Sequence, residues 1–295
     1  MLKGVKEDYT VDIKKLEQLI DCNTIMIVGS YCNFPYGTRD NIFELSNLAI
    51  KKNICLHVDG CLGGLVAAFH PYKTYKFDFI LKGVTSLSVD THKYGFAPKG
   101  TSVILYRNRE MRNYQYSHVM NWTGGMYITP TIAGSRSGGL IACTWATLVA
   151  NGTNGYKESI GDIVKGTYTI YKSLKHIKEI EILGEPDLCV ISFKINEEYM
   201  PKNKLWNLID ELNKKGWVLN ILSNPDAIHF CITKDNCHNA FTFINNVIEA
   251  VKKVKNTECE ISEKTAIYGT ASSLPDKDML ADVAIGFVDG LLDLV

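Results

Sequence analysis

The first half of the chain alternates segments of helical hydrophobic spacing with short apolar runs. Apolar residues recur three and four positions apart after Asp12, and again from Asp40 to Lys52, so both segments predict amphipathic helices with an aspartate as the N-cap. The continuous apolar run at residues 24–29 is typical of a buried parallel strand. Further strands are predicted at 54–58, 85–89 and 101–106. Helices that alternate with strands in this way predict an α/β layer architecture.

A segment without this regularity separates the two halves of the chain. Residues 121–139 are rich in glycine and threonine and predict a long ordered loop, a kind of loop that is commonly functional. A helix at 140–149 follows, and the Asn-Gly-Thr-Asn-Gly turn signals at 151–155 predict a domain boundary. We therefore expect a larger domain with a mostly parallel sheet in residues 1–150 and a smaller α+β domain in residues 151–295.

The second half supplies the elements of that smaller domain. Its hydrophobic spacing predicts a long helix from Tyr156 and further helices at 204–215, 241–254 and 276–294. Gly216 is a suitable C-terminal stop for the helix that precedes it. Strands are predicted at 180–183, 188–195, 217–222 and 228–233.

Composition and charge restrict the possible function classes. The chain has 295 residues, of which 46% are apolar and 22% charged, as in an ordinary globular protein. Its net charge is zero, so nothing marks a surface for nucleic acid or an anionic membrane. No apolar run reaches the length of about 18 residues that a membrane-spanning helix needs, and the first residues are too polar for a signal peptide. Nine cysteines without CxxC spacing predict reduced thiols in an intracellular compartment, and no metal site is predicted.

Two positions carry most of the candidate chemistry. Asp59 closes one predicted strand, where ligands bind in open α/β sheets, and Lys93 follows another strand 34 residues later. This order suits a pyridoxal-phosphate enzyme, in which the lysine holds the cofactor as a Schiff base and the aspartate keeps its pyridine nitrogen protonated. Such a lysine needs a lowered pKa, and Val89, Tyr94 and Phe96 are expected to bury it. Taken alone, Asp59 could simply open a turn and Lys93 could be a solvated surface group.

Three neighbours of this pair leave alternatives open. His92 is a candidate contact for the cofactor phosphate, or else a packed histidine with one backbone hydrogen bond. His57 lies two residues before Asp59 and projects to the same face of the sheet, where it could support the carboxylate or be a satisfied core residue. Cys61 is interpreted as a small buried residue rather than a nucleophile.

Three further polar residues are candidates for substrate chemistry. Lys99 is held between Pro98 and Gly100 on a stiff loop, so it suits phosphate recognition, with solvent exposure as the alternative. In the glycine-rich segment, Tyr127 is a candidate acid or base and Arg136 a candidate anion clamp.

The sequence around these residues resembles the sphingosine-1-phosphate lyase family. Residues 85–100, which include the Asp-Thr-His-Lys-Tyr-Gly motif, closely resemble the cofactor-lysine segment of that family. Residues 57–64 are similar to its pyridine-nitrogen aspartate motif, with Gly60 where alanine is usual. Further similar segments are its active-site loop at 122–127 and 130–136, and parts of its smaller domain at 215–217, 228–233 and 266–269. The resemblance covers essentially the whole chain.

The resemblance implies a fold-type I pyridoxal-phosphate lyase that works as a homodimer, with active sites at the subunit interface. It implies that Lys93 holds the cofactor, that Asp59 pairs with the ring nitrogen and that His92 lies near the cofactor phosphate. Tyr127 falls on the catalytic tyrosine of the family, and Lys99 on a lysine of phosphate binding or catalysis. The implied reaction is the retro-aldol cleavage of a phosphorylated sphingoid base into a long-chain aldehyde and phosphoethanolamine.

One departure from the family concerns the N-terminal side. Family members carry several strands and helices before the region that matches Thr24, including a glycine-rich phosphate loop and a histidine stacked on the cofactor ring. We therefore expect a C-terminal fragment or truncated product, cytoplasmic as it stands, or located at the cytosolic face of the endoplasmic reticulum if a longer form carries the eukaryotic membrane anchor. Two alternatives are a pyridoxal-phosphate amino-acid decarboxylase of the same fold and a non-catalytic fragment or regulatory partner.

Overall fold

The computed structural model describes residues 4–256 and 277–293. Its contacts divide the chain into two compact units, of which the first comprises Met1–Tyr171, Leu183–Ile191 and Cys231–Ala240 and the second comprises Lys172–Ile182, Ser192–Phe230 and Phe241–Val295. The predicted domain boundary near residue 150 stays a prediction.

The sheet of the first unit has four strands in the order β1-β2-β3-β4. Their bounds are Met26–Ser30 (β1), Cys55–Asp59 (β2), Val84–Val89 (β3) and Val103–Tyr106 (β4). The first three strands run parallel, and β4 is antiparallel to β3. The predicted α/β architecture with a mostly parallel sheet is therefore confirmed.

Strand β1 differs from its prediction as a buried strand. Ile27 is buried, but Met26 and Val28 are 47% and 52% exposed. The reason is its place in the sheet, because β1 is an end strand that pairs with β2 on one side. One of its faces packs on the helix that follows it, so its side chains alternate between buried and exposed.

Four helices accompany this sheet: Ile13–Leu19 (α1), Ile42–Lys52 (α2), Gly64–Ala68 (α3) and Arg109–Asn113 (α4). Asp12 caps α1 as predicted, because its carboxylate accepts hydrogen bonds from the backbone N–H groups of Lys14 and Lys15. Helix α2 buries the predicted apolar face, namely Ile42, Leu45, Leu48 and Ala49.

The predicted N-cap of α2 is wrong by one residue. The side chain of Asn41 accepts from Glu44 N and caps the helix. Asp40 instead accepts from Ser30 N at 2.7 Å and from Val11 N at 2.9 Å, so its carboxylate ties β1 to the segment before α1. Adjacent Asp and Asn offer equivalent acceptors, and the backbone path decides which of them reaches the helix end.

The glycine-rich segment is more regular than the predicted loop. It contains the strand Tyr127–Thr129 (β6), which forms an antiparallel ribbon with Ser117–Val119 (β5). Helix α5 then runs over Gly138–Leu174 with a break at Gly152, where φ is 56° and ψ is −177°. The two helices predicted on either side of the turn signals are therefore two arms that meet at this glycine.

The second unit is built around the sheet order β7-β8-β10-β9. Its strands are Ile180–Ile182 (β7), Val190–Ile195 (β8), Asn220–Leu222 (β9) and Ala227–Cys231 (β10), and its helices are Lys204–Lys214 (α6) and Ala240–Asn256 (α7). Strand β9 begins later than predicted because Trp217 packs edge-on against Phe230 and Phe243 instead. Gly216, at φ +86°, follows α6 as the predicted stop.

The last helix, α8, spans Lys277–Leu292 and matches the prediction for 276–294 to within two residues at each end. The segment 266–269 lies outside the described residues. No helix in the described ranges has both the length and the apolar character that a membrane crossing needs. The eight cysteines that the structure describes are all free thiols.

Candidate functional site

Asp59 occupies the carboxyl end of β2, directly beside Ser88 of β3. Its Oδ1 atom accepts hydrogen bonds from Ser88 Oγ at 3.2 Å and from Cys61 N at 3.0 Å. The bond to Cys61 N closes a turn that begins at Asp59, as the alternative interpretation of this residue predicted. Two donors on one oxygen fix the direction of the carboxylate at the edge of the sheet, where ligands bind in α/β folds.

Lys93 follows β3 on a turn and points back to the same edge. Its Nζ atom lies 2.9 Å from Asp90 Oδ2 and 3.5 Å from Cys61 Sγ, and about a third of the side chain (32%) is exposed. Burial lowers the pKa of Lys93, but the interactions with Asp90 and Cys61 together outweigh burial and leave the pKa of Lys93 raised above its ordinary value. The lowered pKa expected from the sequence is therefore wrong for this form of the protein, although Tyr94 is buried as expected.

Cys61 lies between the lysine and the aspartate. Its thiol contacts Lys93 and forms a hydrogen bond with Asp59. Burial, together with the nearby Asp59 carboxylate, raises the pKa of the Cys61 thiol to about 11. The thiol is thus protonated at neutral pH, in agreement with its interpretation as a small residue rather than a nucleophile.

The lysine loop is held by its own polar groups. His92 Nδ1 donates to Thr101 O at 2.5 Å, and Thr91 Oγ1 donates to Thr101 Oγ1 at 2.9 Å. Tyr156, which is buried, donates its hydroxyl to Gly95 O at 2.7 Å. The hydrogen bond from His92 to Thr101 O agrees with the interpretation of His92 as a packed histidine with one backbone hydrogen bond. The role of His92 at a cofactor phosphate stays a prediction. These bonds fix the loop in which Lys93 is placed.

The three candidates for substrate chemistry are all exposed residues of the first unit. Lys99 is exposed on its loop, and Tyr127 begins β6 with 44% of its surface exposed. Arg136 is exposed and lines an open cleft of about 600 Å³ together with Thr91 and Thr101 of the lysine loop. Their roles at a phosphate or as an acid or base stay predictions.

Sequence reasoning missed three residues that contact the candidate pair or its neighbours. Ser88 bonds Asp59, Ser86 lies behind it on the same strand, and Asp90 pairs with Lys93. Two signals were available: the serines alternate with period two along β3, and Asp90 precedes Lys93 by three residues, within one turn of the chain. Neither signal identifies a partner before the strand register is known.

The residues present fit pyridoxal phosphate. A partly exposed lysine amine suits covalent attachment of its aldehyde, and an anchored carboxylate at the neighbouring strand end suits a protonated ring nitrogen. Among residues 4–256 and 277–293, no group of three or more His, Cys, Asp or Glu side chains is arranged to hold a metal ion.

An α/β sheet that presents a lysine and a carboxylate from the ends of adjacent parallel strands defines the class of protein: a fold-type I pyridoxal-phosphate architecture. The chain belongs to the pyridoxal-dependent decarboxylase family, because the family model for the pyridoxal-dependent decarboxylase conserved domain matches residues 13–196.

Similar proteins narrow the relationship within that family. The chain is 42% identical over 289 residues to a sphingosine-1-phosphate lyase from Oryza sativa subsp. japonica, a match that covers 97% of this chain and 53% of the relative. A solved sphingosine-1-phosphate lyase from Burkholderia pseudomallei matches with a TM-score of 0.78 and 38% identity, over 84% of this chain and 57% of that one. A glutamate decarboxylase from Lactobacillus brevis, at 21% identity and a TM-score of 0.73, over 88% of this chain and 62% of that one, shares the fold. The chain spans about half the length of the curated relatives that it matches.

Proposed function

We propose that this chain supplies the cofactor lysine and the ring-nitrogen aspartate of a pyridoxal-phosphate-dependent carbon–carbon lyase. The substrate is a phosphorylated sphingoid base, and the products are a long-chain aldehyde and phosphoethanolamine. The observation that carries the proposal is the meeting of Asp59 and Lys93 around Cys61 at the ends of adjacent parallel strands. Identities of 42% and 38% to proteins named sphingosine-1-phosphate lyase support this substrate over others of the same fold.

On the cofactor side, the chain contributes the amine of Lys93 and the carboxylate of Asp59. Bound pyridoxal phosphate supplies an electron sink for the electron pair that remains when the carbon–carbon bond breaks. Lys93 Nζ holds the cofactor, and Asp59 keeps a proton on the ring nitrogen. Lys93 must first lose the proton that Asp90 stabilises, so attachment is favoured by higher pH. His92 commits Nδ1 to Thr101, which leaves Nε2 for the cofactor phosphate.

On the substrate side, three exposed residues have the required chemistry. Tyr127 takes the proton from the substrate hydroxyl, the bond between the two neighbouring carbons breaks, and the hydroxyl carbon becomes the aldehyde. A proton returned to the carbon that bears the amine completes phosphoethanolamine. Lys99 and Arg136 bind the substrate phosphate, as their exposed positive charges allow.

Aldehyde release from a phosphorylated sphingoid base by the purified chain, with pyridoxal phosphate added, tests this function. Lys93→Arg keeps a cation beside Asp90 but cannot hold the cofactor, so we expect it to abolish both the visible cofactor absorbance and aldehyde release. Tyr127→Phe keeps the absorbance and slows aldehyde release by about a hundredfold, the size of a lost acid–base group. Lys82→Arg, an exposed and remote exchange, is the matched control and changes neither.

The fold shared with glutamate decarboxylase and the family description favour one second candidate, an amino-acid decarboxylase. Carbon dioxide release from an amino acid, without aldehyde release from the sphingoid base, selects this alternative. A folded chain that shows neither cofactor absorbance nor product contradicts both enzymatic functions and selects the non-catalytic fragment or regulatory partner.

We also propose that the chain assembles as a homodimer. Large apolar side chains are exposed from the end of β5 through the first arm of α5, among them Trp122 at 58%, Ile128 at 64% and Trp145 at 67%. Exposed apolar side chains in such number favour a protein interface. Light scattering on the purified chain should give twice its mass, and Trp145→Glu should give a monomer. A monomeric wild-type chain contradicts the homodimer.

For a longer form with a membrane anchor, we propose the cytosolic face of the endoplasmic reticulum, where a lipid-derived substrate is accessible. Fractionation of cells that express the complete gene product tests this location, and recovery outside the membrane fraction contradicts it.

A further inference from the structure

A β-bulge lies between β2 and β3, near the amino ends of both strands. Leu56 pairs with Val84, and the register then shifts by one residue, so that His57 pairs with Ser86. Thr85 is the extra residue, and its hydroxyl donates to Leu56 O at 2.9 Å and accepts from Leu56 N at 3.1 Å. The side chain of Thr85 therefore replaces the backbone ladder at this point. Bulges of this kind re-aim side chains and occur next to functional sites.

The shift decides which side chains meet Asp59. Without the extra residue, Asp59 would pair with Leu87, whose side chain is buried on the opposite face. With it, Asp59 pairs with Ser88, and the two serines of β3 lie on the same face as His57 and Asp59. A shift of one residue moves every side chain to the other face of a strand, so the bulge places hydroxyl groups where a regular strand would place Leu87.

The four side chains form one chain of hydrogen bonds with a single direction. Ser88 Oγ donates its proton to Asp59 Oδ1 at 3.2 Å. Its oxygen is then the acceptor for His57 Nε2, also at 3.2 Å. With its proton on Nε2, His57 has an unprotonated Nδ1, which accepts from Ser86 Oγ at 2.8 Å. The order of donors is thus Ser86, His57, Ser88 and finally the carboxylate.

Burial keeps the histidine in the form that this order requires. It lowers the pKa of His57, while the nearby Asp59 charge acts in the opposite direction and is the smaller influence. A neutral imidazole carries one proton, and the acceptor at Ser88 draws it to Nε2.

We propose that Ser86, His57 and Ser88 form a directed hydrogen-bond chain that holds Asp59 as a fixed acceptor for the protonated ring nitrogen of a pyridine-type cofactor. His57 and Ser88 are positioning residues, because they act through Asp59. The inference rests on the proposed function, and it extends that function to residues behind the cofactor-facing carboxylate. A merely structural role for the same hydrogen bonds would stabilise the sheet without any preference for a ring nitrogen.

The order of donors is tested without cofactor. NMR of the imidazole nitrogens in isotope-labelled protein reports which nitrogen carries the proton. We expect His57 to be in the Nε2–H form at neutral pH and to shift in Ser86→Ala and Ser88→Ala, while exposed His176 does not respond. An Nδ1–H form of His57, or a tautomer mixture like that of His176, overturns the chain.

The effect on Asp59 is tested with two probes, pyridoxal phosphate and its analogue with carbon in place of the ring nitrogen. We expect Ser88→Ala and His57→Leu to weaken binding of pyridoxal phosphate about tenfold, as loss of a hydrogen bond to a charged group does, and to leave the analogue unchanged. Ser88→Thr keeps a hydroxyl and His57→Gln keeps a terminal N–H, so both variants should recover most of the difference in binding between pyridoxal phosphate and the analogue. Ser117→Ala on β5 is the control exchange and affects neither probe.

The outcomes separate this inference from the proposed function. If Ser88→Ala and His57→Leu weaken the binding of both probes equally, or weaken the binding of neither, the hydrogen bonds have a structural role and the positioning role is overturned. A wild-type chain that binds both probes equally shows that Asp59 does not pair with the ring nitrogen, which overturns it as well. A wild-type chain that binds neither probe contradicts the proposed function and removes the cofactor role of the chain, whereas the NMR result still decides the donor order.

Discussion

Lys93 Nζ pairs with Asp90 Oδ2 at 2.9 Å across one turn of the loop that follows β3. Burial alone would favour the neutral amine, but this pair, together with the contact between Lys93 and Cys61, leaves the pKa of Lys93 raised. Only a neutral amine attacks an aldehyde, so Asp90 holds the lysine in its unreactive, protonated form. For the proposed attachment of a cofactor at Lys93, the pair therefore predicts a dependence on pH.

Asp90→Asn is expected to lower the pKa of Lys93. At neutral pH a larger fraction of the amine is then neutral, so pyridoxal phosphate attaches faster, and the rise of the attachment rate with pH moves to lower pH. Rates from the visible cofactor absorbance over a pH series measure this shift. The exposed exchange Asp235→Asn is the control, and an unchanged profile or a shift to higher pH in Asp90→Asn contradicts the role of the pair.

The same pair has a consequence for stability. Because the folded-state pKa of Lys93 is raised, its stabilisation is complete below the ordinary pKa of lysine and is lost as pH rises through the raised value. The free energy of unfolding of the wild-type chain should therefore fall more on going to alkaline pH than that of Asp90→Asn. Urea titrations at neutral and alkaline pH compare the two, and equal losses contradict this sign.

Gly95→Ala should disrupt the lysine loop. A Cβ at Gly95 would lie 2.5 Å from Thr91 O, which is backbone and cannot yield without moving the loop. We expect a cost of about 2 kcal/mol in the free energy of unfolding, as for an overpacked core position, together with weaker cofactor attachment.

Gly100→Ala on the same loop is the matched variant. Gly100 has a φ of +86°, and a Cβ there would meet no other atom within 4 Å, so only the left-handed backbone opposes a side chain, at a cost of about 1 kcal/mol. Urea unfolding and cofactor titration of the two variants compare crowding with backbone strain. Equal effects on cofactor attachment would show that crowding at Gly95 is unimportant.

Asp187→Asn should destabilise the first unit. The Asp187 carboxylate pairs with Arg39 and, at 2.6 Å, with Lys73, and its side chain is only 15% exposed. Burial raises its pKa, but its hydrogen bonds and cationic neighbours outweigh burial and leave the pKa of Asp187 lowered. Its stabilisation is therefore present above the ordinary pKa of aspartate and lost as pH falls through the lowered value.

We expect Asp187→Asn to cost about 2 kcal/mol at neutral pH, the size of hydrogen bonds to a charged group, and to cost less in acid. Urea titrations at both pH values measure the difference from wild type. The exposed Asp235→Asn serves as control again, and a cost that grows in acid contradicts the assigned sign.

Local patterns predicted the elements that depend on local spacing. Helix α2 buries Ile42, Leu45 and Leu48 because their three- and four-residue spacing alone places them on one face. The face of β1 that is exposed could not be predicted in this way, since it depends on which strands and helices lie beside it. The N-cap of α2 was missed for a related reason, because the Asp40 carboxylate accepts from Ser30 N, ten residues earlier, and from Val11 N, 29 residues earlier.

In the candidate site, too, local patterns predicted some residues, whereas contacts between strands and side chains determined the others. Asp59 and Lys93 were predicted from their places after two apolar runs, and the structure brings both to the edge of the sheet, around Cys61. Ser88 was missed because its contact with Asp59 depends on the bulge at Thr85, which is set by hydrogen bonds between strands. The raised pKa of Lys93 was missed because it depends on side-chain contacts with Asp90 and Cys61 rather than on the apolar neighbours.

We propose Lys93 as the residue at which this chain holds pyridoxal phosphate. Borohydride reduction of the chain after incubation with the cofactor fixes it covalently, and mass spectrometry of the digested protein then locates the label. We expect one labelled site, Lys93, with labelling that depends on Asp59 and falls in Asp59→Ala. Label spread over exposed lysines such as Lys82 and Lys99, or a folded chain without label, would contradict it.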